Sequence, residues 1–209
     1  MPLDPDLTEF STASPILVSF DFNDFADGTG VRRFLPCEAI DSAGATYFLT
    51  TDEVDSGKIT RHTSGNSTTN YDIAFSTPKD IKGTAIINIT TGLNPSTGSI
   101  SITATVTLKH FDGSTETTMG TAKTTTSISS SSKISQRHCL KIPITTQQHF
   151  AQGDILRVTI ATTTSGTGLR GFGHDPSNRN DDQEVSIDQI ITSGDSTNLN
   201  VYIPFLLNI

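Results

Sequence analysis

Residues 99–109 read Ser99-Ile100-Ser101-Ile102-Thr103-Ala104-Thr105-Val106-Thr107-Leu108-Lys109. Ile100, Ile102, Ala104, Val106 and Leu108 fall on one side; Ser101, Thr103, Thr105, Thr107 and Lys109 fall on the other. Successive side chains of a strand point to opposite faces, so this stretch is a strand with one dry and one wet face. The same design recurs along the chain. Ile16, Val18, Phe20 and Phe22 alternate with polar neighbours, as do Ala85, Ile87 and Ile89, then Leu140, Ile142 and Ile144. Leu156, Val158 and Ile160 repeat it, and Leu199, Val201, Ile203 and Phe205 close the chain with it.

Turn signals separate these segments. Asp41-Ser42-Ala43-Gly44 lies between short strands at 31–36 and 45–50, and Asp112-Gly113 marks a hairpin after the opening strand. Residues 51–70 read as a long exposed loop, Thr91 to Gly98 as a turn, and the serine run 127–132 as a mobile loop. Pro143 removes a ladder donor and predicts that the strand at 133–144 is an edge strand or ends there. No amphipathic helix of normal length stands out. Roughly eight to ten short strands divided by turns predict an all-β chain, an antiparallel β-sandwich with jelly-roll topology preferred. Pro2, Pro5 and Pro15 predict an extended N-terminal arm over 1–14, either a frayed end or a grip on a neighbouring subunit, with a single domain at 15–209.

Composition narrows the function classes. The 209 residues carry 22 acidic and 14 basic side chains, a net charge of −8. No basic stripe exists to displace counterions from phosphates, which argues against nucleic acid. The N-terminus lacks the basic and apolar regions of a signal peptide, and no apolar run approaches a membrane span. The expectation is a protein made in a cytoplasm, with no membrane partner. Cys37 and Cys139 belong to no metal-spaced motif and are read as either a bridge or two reduced thiols.

Candidate chemistry is sparse, and no cofactor is expected. Among the histidines there is no His-Glu-x-x-His, and no Gly-x-Ser-x-Gly elbow or phosphate loop occurs. His138 adjoins Cys139, but neighbours in a strand face opposite ways and make a poor nucleophile–base pair. Asp21, Asn23, Asp24 and Asp27 share one glycine-bearing loop. Their oxygens suit calcium, but Phe25 breaks the EF-hand spacing and a self-bonded turn is simpler. The densest polar stretch runs from Gly171 to Asp182. Within it Asp175, Asn178 and Arg179 are candidates for a structural or intersubunit contact. His174, Asp175 and Asp181 form a metal alternative, and His174 with Asp175 and Arg179 a catalytic one. Tryptophan is absent and tyrosines number 3, which weakens a sugar-stacking site.

Three strings together resemble small β-sandwich structural proteins of tailed viruses, of the kind that decorate, cement or cap a capsid or neck. They are Asp21-Phe22-Asn23-Asp24-Phe25-Ala26-Asp27-Gly28-Thr29-Gly30, Gly173-His174-Asp175-Pro176-Ser177-Asn178-Arg179, and Asn200-Val201-Tyr202-Ile203-Pro204-Phe205. The resemblance implies a virion protein without enzymatic activity. It implies a symmetric homo-oligomer, a trimer among the options, bound to the major capsid protein or other virion proteins. The family offers no catalytic residues to carry over. The alternative is a jelly-roll carbohydrate-binding module or adhesin.

Overall fold

The computed structural model describes residues 30–41, 44–52, 61–63, 66–174 and 199–206. Within them the chain forms strands and turns, with no helix. The strands are β1 (Gly30–Asp41), β2 (Gly44–Thr50), β3 (Arg61–Thr63), β4 (Ser67–Ala74), β5 (Lys79–Phe111) and β6 (Glu116–Thr118). There follow β7 (Lys123–Thr124), β8 (Ile128–Ser130), β9 (Ile134–Phe150), β10 (Ile155–Gly173) and β11 (Leu199–Leu206).

These strands form one sheet that closes on itself as a barrel. Leaving the first half of β5, the path runs through β11, β1, β2, β4 and β10 and returns to the second half of β5. All pairings are antiparallel except one contact between β2 and β4, Phe48 opposite Asp72. β9 lies along the other side of β5 from Lys79 to Leu93, and β8, β7 and β6 follow it from Ile100 to Phe111.

The alternation of the 99–109 stretch is realised in full. Ile100, Ile102, Ala104, Val106 and Leu108 are all buried, while Ser101, Thr103, Thr105 and Thr107 are partly exposed. Ala104, Val106 and Leu108 join Phe34, Tyr71, Phe150, Leu156, Val158, Phe172 and the apolar side of β11 in one core. Each such aliphatic side chain removed from water contributes about 1.5–3 kcal/mol.

Three predicted loops are corrected. Residues 91–98 continue β5 instead of turning, because β10 pairs with Thr91 to Pro95 and with Thr97, and Leu93 is buried. The bend there is taken up in β10, whose register slips between Ser165 and Gly168, with Gly166 at φ +79°. The serine run contains β8, because Ile128 pairs with Ile102 and packs with Leu93, Ile100 and Ile102 in a second small core. The long loop at 51–70 contains β3 and the start of β4. Cys37 is buried, Cys139 is exposed, and neither forms a disulfide.

Candidate functional site

His174 directly follows β10, and its side chain is fully buried. The sequence reading placed it in a polar loop. Instead Phe172 and His174 continue the inward side of β10, and the imidazole meets three aromatic rings. It stacks on Tyr47 at 6.3 Å and lies edge-on to Tyr71 at 5.4 Å and to Phe172 at 5.6 Å. Its Nε2 is hydrogen-bonded to the Tyr71 hydroxyl. Tyr47 extends the chain of groups outward, its hydroxyl donating to Glu38 Oε1 at 3.4 Å.

Burial pushes the Tyr71 hydroxyl well above its usual range, reinforced by Tyr47, Glu38 and Cys37. Burial also raises Tyr47, followed by the Glu38 carboxylate. Both phenols therefore stay protonated, and the cluster is a polar plug sealing this end of the core. The signal was legible in principle, since Thr69, Tyr71 and Ile73 alternate inward as Phe172 and His174 do.

Asp175, Asn178, Arg179 and Asp181 lie outside the described residues, as do Asp21, Asp24 and Asp27. Among the described residues no three His, Cys, Asp or Glu side chains converge as metal ligands.

The sequence reading missed two imidazole–carboxylate pairs. His110 Nε2 lies 2.7 Å from Asp154 Oδ2, which also accepts the Ala151 N–H at 2.8 Å and so caps the turn into β10. These bonds, the one to His110 foremost, hold the Asp154 carboxyl below the usual carboxylate range. His149 Nδ1 lies 2.8 Å from Asp80 Oδ1; the imidazole side chain is 63% exposed and the carboxylate 6%. A buried carboxylate on Nδ1 orients an imidazole as a general base with Nε2 turned to its task. Among the described residues no serine, threonine or cysteine bonds that Nε2. Neither pair could be seen from sequence spacing, because the partners lie 44 and 69 residues apart.

An open cleft of about 280 Å³ lies between β5 and β9, lined by Asn88, Ile89, Arg137, His138 and Cys139. His138 is buried and Cys139 exposed, so the adjacent pair faces opposite ways. His138 Nε2 sits 2.9 Å from Thr91 Oγ1, and burial lowers its affinity for a proton. Arg137 is exposed at the rim.

The outer face of β4, β10 and the second half of β5 is rich in hydroxyls, with Asn70, Ala161 and, at one end, charged side chains beside them. Ser101 and Ser165 are 2.7 Å apart, Thr105 and Thr124 2.8 Å, and Thr159 donates to Asn70 Oδ1 at 2.8 Å. At one end Arg157 binds both oxygens of Asp72 and also reaches Glu116, which Lys109 meets at 2.7 Å. The Asp72 bonds, then those from Glu116, raise the Arg157 guanidinium further above its usual range.

No protein-family model and no curated protein matches the chain. Two solved structures of a CocE/NonD family hydrolase from Staphylococcus aureus share its fold, each with a TM-score of 0.52 and 8% identity. The matches cover 86% and 85% of this chain and 37% of the hydrolase, so the chain spans little more than a third of that protein's length. At this identity the likeness is one of fold. It corrects the expectation of a protein without enzymatic activity, because the fold occurs within hydrolases and gives no ground for excluding catalysis.

Proposed function

We infer that the chain is a β-sandwich structural protein of a virion, its barrel flattened into two packed sheets of jelly-roll type. It binds and stabilises or decorates a capsid, or the head–neck region, as a symmetric oligomer. The observation that carries this reading is the hydroxyl-rich, internally bonded outer face of β4, β10 and β5. Its polar groups are bonded to one another across strands, and its charges are matched, Asp72 and Glu116 against Arg157 and Lys109. Such a face is rigid and neutral, which suits close packing on a lattice and costs little desolvation of unpaired charge.

The test is co-sedimentation of the purified chain with capsids of a tailed virus whose genome encodes it. Saturable binding at a fixed ratio to capsid subunits is the expected result. A chain that stays in the supernatant at every salt concentration overturns the reading.

A second reading is a β module of a hydrolase, favoured by the fold shared with the CocE/NonD chains and by the oriented His149–Asp80 pair. It predicts ester or amide hydrolysis that His149→Ala abolishes. Chromogenic ester assays with and without that substitution decide it.

A further inference from the structure

The charge of this chain is divided unevenly. The whole carries 22 acidic and 14 basic residues, but the described residues hold 12 basic and only 8 acidic ones. The described residues are therefore basic by four charges, although the whole chain is acidic by eight. Residues 1–29 alone contain six acidic residues, Asp4, Asp6, Glu9, Asp21, Asp24 and Asp27, and no Lys, Arg or His.

The barrel offers these carboxylates an acceptor. β9 hydrogen-bonds β5 on one side; Gly120 packs against it at Ile142 and Pro143, and no second strand pairs with it among the described residues, which leaves the stretch at Arg137 to Lys141 without a paired strand. Its outer face presents Arg137 and Lys141, both exposed and neither in an ion pair among the described residues. Arg137 stands at the open cleft beside Asn88 and Cys139. A guanidinium with free donors next to an amide is chemistry for a carboxylate. An unpaired strand edge accepts an extended segment through its backbone.

The distances permit the contact. Gly30 pairs with Phe205, Phe205 with Ile81, and Ile81 with Gln148, so residue 30 lies three strand spacings from β9, roughly 14 Å. A chain of 29 residues extends up to on the order of 100 Å, enough to cross to a neighbouring molecule. We propose that the acidic segment 1–29 of one copy docks on the outer side of β9 of a second copy, its carboxylates on Arg137 and Lys141. The barrels are thereby joined by reciprocal or cyclic exchange of arms. This rests on the oligomeric part of the virion reading and names the surface that makes the oligomer.

The test is a charge swap in the full chain, followed by sedimentation velocity. Arg137→Glu with Lys141→Glu, and separately Asp4→Lys with Asp6→Lys and Glu9→Lys, each weaken association by about tenfold or more, and the combined protein regains most of the loss. A synthetic peptide of residues 1–29 competes with association of the wild type, less so at high salt. If the β9 variant does not fold by circular dichroism, the arm variant and the peptide carry the test. Association unchanged within twofold, no recovery in the combined protein, a wild type monomeric at all concentrations, or concentration-independent destabilisation of a monomer each overturns the proposal. Capsid co-sedimentation separates the two ideas: arm exchange with no capsid binding removes the virion reading alone, and capsid binding by a charge-swap-insensitive oligomer removes the docking alone.

Discussion

Arg157 on β10 and Asp72 on β4 stand directly opposite in the strand register and are joined by two parallel bonds, 2.7 Å from Nε and 2.6 Å from Nη2. The guanidinium lies 5.2 Å from the centre of the Phe111 ring, and its other arm reaches Glu116. One side chain thus ties β4, β10, β5 and β6 together. Arg157→Ala should cost about 1–2 kcal/mol, more than an isolated surface pair. Arg157→Lys should recover less than half of that, because an ammonium cannot fork a carboxylate. Urea midpoints for the two variants check this, and equal stabilities of Lys and Arg at this site would remove the argument from geometry.

Asp154 gives the acid limb of stability a defined sign. Its carboxyl is held below the usual range by His110 and the Ala151 N–H, whereas in the unfolded chain it titrates near the ordinary value of about 3.9. The stabilisation is therefore fully present above that ordinary value and is lost as pH falls through the lower folded value. Asp154→Asn should be less stable than the wild type at neutral pH, with the gap closing in acid. Denaturation at several pH values reads this directly, and a gap that stays constant to the acid end contradicts it.

Two glycines separate conformational strain from steric clash. A Cβ on Gly113, at φ +91°, meets nothing within 4 Å, so Gly113→Ala should cost only the left-handed backbone, about 1 kcal/mol. A Cβ on Gly166 would lie 2.6 Å from the Ser99 carbonyl oxygen and 2.7 Å from Ile100 Cγ2. Gly166→Ala should therefore cost at least about 2 kcal/mol, since the main chain at Ser99 and Ile100 must move. Thermal unfolding of both variants provides the comparison, and equal costs would mean that the bend yields freely.

The aromatic plug around His174 predicts unequal tyrosines. Tyr71→Phe removes a buried hydroxyl from beside the imidazole and should cost about 1–3 kcal/mol. Tyr47→Phe loses a 3.4 Å bond to a half-exposed Glu38 and should cost less than Tyr71→Phe, about 0.5 kcal/mol. Denaturant titration of the two variants tests the order, and a larger loss for Tyr47→Phe reverses it.

Hydrophobic alternation made much of the fold legible. Every inward residue predicted from Ile100 to Leu108, from Leu156 to Ile160 and from Leu199 to Phe205 is in the interior. The Asp112-Gly113 hairpin is also present, with the Asp112 N–H donating to the Thr115 carbonyl. What the pattern could not convey is where a strand bends without stopping. Gly92 and Pro95 are turn formers by local chemistry, yet pairing with β10 keeps them in β5. Ile128 stands alone among threonines and serines from Thr124 to Ser132 and sets no period, but one isoleucine suffices to seat β8. The site was less legible still. His110 with Asp154, His149 with Asp80, and Tyr71 with His174 are joined by the sheet register over 44, 69 and 103 residues. No local spacing encodes such pairs.

The 33 residues of β5 hydrogen-bond six other strands, all of them later in the described chain and as distant as β11. A spine shared in this way leaves no fragment with its own complete set of pairings. Both halves of the barrel must then form in one cooperative event, late, after distant segments have met, and the rate is limited by loop closure. Until β5 is seated, β9 and β10 expose long unpaired edges, so the hazard during synthesis is strand capture between nascent chains.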